Sequence, residues 1–446
     1  MSLRPGRSSI ARLAFACFCL ASASCVGTPD AVREAPPPVR QDAWAAFPLT
    51  PSGEERALPS KVDWLNRHAQ SPEMDIDLVE AATVIANSRL EASVSYSSIP
   101  SVLRPYLLRA RARCQPITLV EEKIRILNED VLPAIRRAIE KELRWLHDVY
   151  GSDEGDCLPG SLLYLVAADS LSLHLDAVII PRHVFVCHSG AGGVGRTVET
   201  TKSGEQLTRE RYAGYMSLGS SDMEKVPQEP TALAKQLTPI TRRQLVSLLL
   251  CNAAQTGEPG GRRKRLEEAV RFTPDFYVPH KLLAQLYQRQ DEWAKAELEL
   301  TQAIGLATHV PALFAARWGC RVALKNFEAA IADAEAAIRL APKHPMYHYL
   351  AGVANMEAKR YDEAIEEHTR ALDLDPRFDW PWEGRAQVYE MTKRYAEAAA
   401  DLGKAIALKP TSAEYYRRRA KMWAMLGDEA HWDADTRKAK ELEEHQ

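Results

Sequence analysis

The chain has 446 residues, 46% of them hydrophobic, and a formal net charge of −3. That length exceeds one ordinary core and predicts two or three domains, while the near-neutral balance excludes an electrostatic case for nucleic acid as a partner. Beyond residue 25 there is no uncharged apolar run of the roughly 18 residues that a membrane-spanning helix needs.

Arg4, Arg7 and Arg12 precede the apolar run Leu13–Leu20, and Ala21-Ser22-Ala23-Ser24 lead to Cys25. This predicts an export signal over residues 1–25. A cysteine at that place resembles a bacterial lipoprotein box, with Ser22 where such boxes usually carry Leu. The resemblance implies lipidation of Cys25, anchoring to a membrane and residence in the bacterial cell envelope. Plain secretion after Ala21-Ser22-Ala23 is the alternative. Residues 26–60 hold Pro29, Pro36, Pro37, Pro38, Pro48, Pro51 and Pro59, which predicts an extended tether. The five cysteines beyond the signal are too dispersed for a disulfide framework, although a Cys157–Cys187 bond is one reading of that pair.

From Lys61 to Tyr150 the pattern is helical. One segment starts at Asp75, Ser97–Pro100 reads as a break, and helices follow near Val102–Arg113 and Leu119–Val149, the last split by Pro133. Gly155-Asp156 then suits a turn, and Pro159 suits the first turn of the apolar helix SLLYLVAADSL. Cys157 therefore sits at a helix N-terminus, where the dipole and free amides favour a thiolate. DAVII and HVFV read as strands, with His183 heading the second. Residues 190–195 read as a turn, and 196–201 as a strand bearing Glu199. A thiol, an imidazole and a carboxylate in that order supply a nucleophile, its base and an orienting acid. A metal reading through His183, Cys187 and His188 conflicts with strand alternation, and neither a metal nor a cofactor is expected.

GDC at the head of a helix, the P-x-H-x-F-V strand and VETT resemble the transglutaminase-like superfamily, in particular bacterial members joined to tetratricopeptide repeats. That resemblance implies an α+β domain over 61–236 with Cys157 as nucleophile, His183 as base and Glu199 as orienting acid. Arg182 stands where the bacterial branch tends to have Gly. The implied activity is hydrolysis of amide bonds in a protein or peptide, as protease, amidase or deamidase. The alternatives are an inert protein-binding adaptor and a cross-linking acyltransferase.

The C-terminal half divides into 34-residue units starting at Tyr277, Pro311, Pro345, Asp379 and Ala413. Trp293, Phe327, Tyr361 and Tyr395 recur in register, as do Ala296, Ala330, Ala364 and Ala398, then Ala303, Ala337, Ala371 and Ala405. The period and these residues are similar to the tetratricopeptide repeat, which implies an all-α superhelix of helix pairs over 237–446. The segment before Tyr277 reads as a degenerate first unit, and the polar last unit as a cap. Repeat geometry implies a concave face with Met346, Tyr349, Val353, Trp380, Glu383, Gln387, Arg417 and Lys421, facing a protein or peptide partner or the chain's own N-terminal domain.

Overall fold

The computed structural model describes residues 58–70, 76–88, 94, 98–141, 143–144, 146, 157–171, 173–180, 183–190, 193–198, 200, 239–255 and 259–444. They form two compact units that divide between Leu286 and Tyr287. The export signal, Cys25, the tether up to residue 57 and Glu199 lie outside the described residues.

In the N-terminal unit, α1 (Lys61–Gln70), α2 (Leu78–Asn87), α3 (Ser98–Cys114), α4 (Val120–Asp130) and α5 (Leu132–Glu140) come first. The Asp77 carboxylate caps α2 by accepting from the amides of Val79 (2.9 Å) and Glu80 (3.1 Å). Pro133 lies in the first turn of α5, where a missing N–H breaks no helical bond, and so separates α5 from α4. The break expected at 97–100 is instead the start of α3. Its Pro100 occupies the first turn, which a proline tolerates.

Helix α6 (Cys157–Ser170) is buried on nearly all sides, from Leu158 through Ala168, and packs on α3, α5 and the sheet. A helix apolar all round belongs at the centre of a domain. The sheet, in the order β3-β2-β1-β4, contains β1 (Asp176–Ile180), β2 (His183–Gly190), β3 (Gly193–Val198) and β4 (Pro239–Ile240), each pair antiparallel. The turn expected at 190–195 is shorter: Gly190 pairs with Gly193, and a register shift at His188/Ser189 lets both strands run on. Glycines carry no alternating side chains, so the pattern could not show this extension.

The pair expected as a degenerate repeat forms α7 (Arg242–Gln255) and α8 (Arg262–Phe272), which pack together. Both belong to the N-terminal unit. Phe272 meets Trp64 with ring centroids 5.7 Å apart, Glu268 pairs with Lys61 at 2.7 Å, and Arg243 donates to the His68 carbonyl at 2.7 Å. Trp64 is fully buried in this junction, and burial of such a ring dominates local stability.

The remaining helices follow the 34-residue period: α9 (Tyr277–Arg289), α10 (Trp293–Leu306), α11 (Pro311–Ala323), α12 (Phe327–Leu340), α13 (Pro345–Glu357), α14 (Tyr361–Leu374), α15 (Asp379–Met391), α16 (Tyr395–Leu408), α17 (Ala413–Leu426) and α18 (Glu429–Glu444). The eight recurrent alanines are all fully buried, letting helix backbones approach. Within each repeat the first helix ends on a left-handed residue: Asp291, Lys325, Lys359, Lys393 and Gly427. Around it two bonds recur, as when the Lys393 amide donates to the Glu390 carbonyl (3.0 Å) and the Arg394 amide to the Tyr389 carbonyl (2.7 Å). These satisfy the carbonyls that the helix end would otherwise leave bare.

Candidate functional site

Cys157 is a half-exposed free thiol on the first residue of α6. Cys187 is fully buried, and no disulfide joins the two. His183 is the first residue of β2, its Cα paired with Ile180. Its side chain, like Glu199, lies outside what is described. One turn into α6, the Ser161 hydroxyl lies 3.3 Å from the Val184 carbonyl, to which it donates, and 3.2 Å from the Thr200 hydroxyl. A Cβ at Gly160 would meet the Thr200 hydroxyl at 3.1 Å, so α6 and the chain beyond β3 are in close contact. Ser161 thus ties the Cys157 helix to the neighbours in sequence of both His183 and Glu199. The sequence pattern did not single out Ser161 or Thr200. Thr200 lay inside the VETT motif without a role of its own, and the signal for Ser161 was a polar residue inside an otherwise apolar helix.

In the repeat unit, Met346, Tyr349 and Val353 are buried in a core with Trp318, Tyr347 and Leu350, and do not present the open surface expected of them. The cause is aromatic cover: Phe378, at the end of the same repeat, and Trp380, from the next, lie 5.6 and 5.8 Å from the Tyr349 ring. Trp380, Glu383 and Gln387 are half-buried, and Arg417 and Lys421 are exposed. Charges here neutralise one another. Arg418 bridges Glu383 (2.7 Å) and Glu390 (3.7 Å), Lys421 pairs with Glu390 (2.5 Å), and Arg417 pairs with Glu414 (2.8 Å) and Glu443 (3.0 Å).

Sequence reasoning also missed a recurrent polar contact inside the array. Arg317 binds Asp333, Arg385 binds Asp401, and Arg419 binds Asp435, each sixteen residues apart. The signal was an arginine at the seventh place of a unit and an aspartate at the twenty-third. The third repeat has Ala351 and Glu367 at these places, and Glu367 bonds His348 at 2.7 Å instead.

Family models described as tetratricopeptide repeat match residues 321–377 and 355–422. Over 74 residues, 17% of its length, the chain is 34% identical to the E3 ubiquitin-protein ligase CHIP of Arabidopsis thaliana, of which it spans 27%. Among solved structures it is similar to the MamA protein (16% identity, TM-score 0.35, covering 38% of this chain and 92% of that one). It is similar also to YrrB, titled a TPR protein with an unusual peptide-binding site (15%, 0.33, 40% and 91%). A tetratricopeptide repeat protein from Parabacteroides merdae is a further match (21%, 0.40, 44% and 79%). The C-terminal part of the chain is an array of tetratricopeptide repeats.

Proposed function

We propose that the repeat array is a binding scaffold for a protein or peptide. The observation that carries this reading is a contrast within the repeats. The buried places stay alanine from unit to unit, whereas first-helix places that are unburied in the fourth and fifth repeats change chemistry: Trp380, Glu383, Gln387, Arg417 and Lys421. Constant places hold the helices together; variable ones are free to recognise. A photo-crosslinking amino acid at Gln387 or Lys421 is expected to yield a defined protein adduct in the native host. The same group at Glu397, exposed on a second helix, is expected to yield none. Equal labelling from both faces would refute the assignment.

A second reading rests on Ser161. Its bonds to Val184 and Thr200 support a transglutaminase-like α+β domain in which Cys157 is the nucleophile, His183 the base and Glu199 the orienting acid. In that reading the thiolate attacks an amide carbonyl of a protein held by the repeats, the C–N bond breaks as His183 gives the leaving amine a proton, and water resolves the acyl-enzyme to a carboxylate and the free thiol; an amine acceptor in place of water would give cross-linking. Alkylation of Cys157 at mildly acidic pH, abolished by His183→Ala, is the expected result. A rate profile indistinguishable from that of a simple thiol would leave the scaffold reading alone. The envelope anchor through Cys25 belongs to the same proposal and is tested by the mass of the mature N-terminal peptide.

A further inference from the structure

The twenty-fourth place of the first, second and fourth repeats is apolar and buried: Leu300, Ala334 and Leu402. In the third repeat that place holds His368, fully buried on α14, with neither ring nitrogen hydrogen-bonded. Two glycines make the room. A Cβ at Gly352 on α13, or at Gly384 on α15, would lie 2.6 Å from the imidazole. Corresponding places in other repeats hold Trp318 and Ala386, or Ala316, Leu350 and Arg418, so the glycines are particular to this junction.

The surroundings of His368 offer nothing to a proton. From α13 it meets the Tyr349 ring, centroids 5.6 Å apart. From α15 the charged group acting on it is Arg385, a cation already held by Asp401 of α16. The carboxylate beside it in sequence, Glu367, is engaged by His348 and Arg370. Burial, then Arg385, push the imidazole down to about 3.

We propose that His368 is an acid-operated latch between the third and fourth repeats. Neutral, it fills the space between Gly352 and Gly384. Protonated, it is a second cation beside Arg385 with no acceptor in reach, and it leaves only if α14 and α15 separate. The sign is fixed by linkage. An opening that exposes His368 to water restores its ordinary affinity for a proton, near pH 6.5, so opening grows by up to about tenfold for each pH unit below that value. The junction is therefore closed at neutral pH and loosens on acidification, independently of any chemistry at Cys157.

Amide hydrogen exchange on the full chain, corrected for the intrinsic pH dependence of exchange, tests this. Between pH 6.5 and 5, peptides from 361–391 are expected to lose protection by roughly ten- to thirtyfold while 311–323 changes little. His368→Leu, the residue found at Leu300 and Leu402, is expected to remove the pH dependence. Parallel loss in both proteins, or loss spread evenly over the repeats, overturns the latch. So does an NMR titration of the wild-type His368 ring with a midpoint near 6.5, a readout that decides the matter even if the leucine variant does not fold.

Discussion

The Arg385 guanidinium meets the Asp401 carboxylate with both ends, Nε to Oδ2 and Nη2 to Oδ1, each at 2.8 Å. Its remaining end donates to Thr369 of the preceding repeat at 2.9 Å. Arg317 makes the same pair of contacts, to Asp333 and to Thr301. One side chain thus joins the two helices of its own repeat and ties them to the repeat before. Deleting one partner leaves the other buried without its counter-charge. Asp401→Ala is expected to lower stability by about 3 kcal/mol, measured by urea unfolding. Combining it with Arg385→Met is expected to recover most of the loss; simple additivity would refute a direct coupling.

Three of the left-handed turn residues are lysines, with φ near +60° at Lys325, Lys359 and Lys393. A side chain there is strained, because its Cβ crowds the backbone, and glycine is not. Each Lys→Gly substitution is expected to stabilise the array by a few tenths to about 1 kcal/mol. Gly427→Ala, at φ +75°, is expected to destabilise by a similar amount. Urea midpoints of the four single variants measure this directly, and stabilisation by Gly427→Ala would contradict the account.

These lysines also explain what the sequence could and could not reveal. The helix starts at Tyr277, Pro311, Pro345, Asp379 and Ala413 were legible because alanine and aromatic places repeat every 34 residues. The turn chemistry was not, since glycine, its usual mark, appears only at Gly427. Strand β1 was readable as a short β-branched run, whereas the glycine-rich segment from Gly190 to Gly193 offered no alternation to read. For the candidate site, the start of α6 at Cys157 followed from Pro159. Ser161 did not, because a hydroxyl inside an apolar helix gains its meaning only when another segment arrives beside it. Burial of Tyr349 was equally hidden, as the ring that covers it, Trp380, comes from the next repeat.

The glycines beside His368 make a prediction separate from pH. A methyl group at Gly352 or Gly384 would sit 2.6 Å from the imidazole, well inside contact distance. Gly384→Ala is expected to cost about 1–3 kcal/mol at pH 7. The double variant Gly384→Ala/His368→Ala is expected to lose less than the sum of the two single losses, since the alanine removes the ring that clashes. Thermal unfolding of the four proteins closes the cycle, and additive losses would mean that the glycine serves helix geometry alone.

His348, in the same repeat as His368, has the opposite pH response. Its Nδ1 lies 2.7 Å from a Glu367 oxygen and its Nε2 lies 3.1 Å from the Pro342 carbonyl. Both neighbours are acceptors, so only the doubly protonated ring satisfies both. Burial works against the charge, but the bonds to Glu367 and Pro342 outweigh it and raise the imidazole above its ordinary value. A group whose folded value is raised contributes fully below its unfolded value, near 6.5, and loses that contribution as pH climbs through the folded one. His348→Ala is therefore expected to cost about 1–2 kcal/mol at pH 6 and clearly less at pH 9, in urea titrations at both values. Glu367→Gln removes the carboxylate while keeping its shape, and is expected to erase most of that difference between the two pH values. A His348→Ala cost that is the same at pH 6 and pH 9 would show that the neutral ring supplies all of the stabilisation.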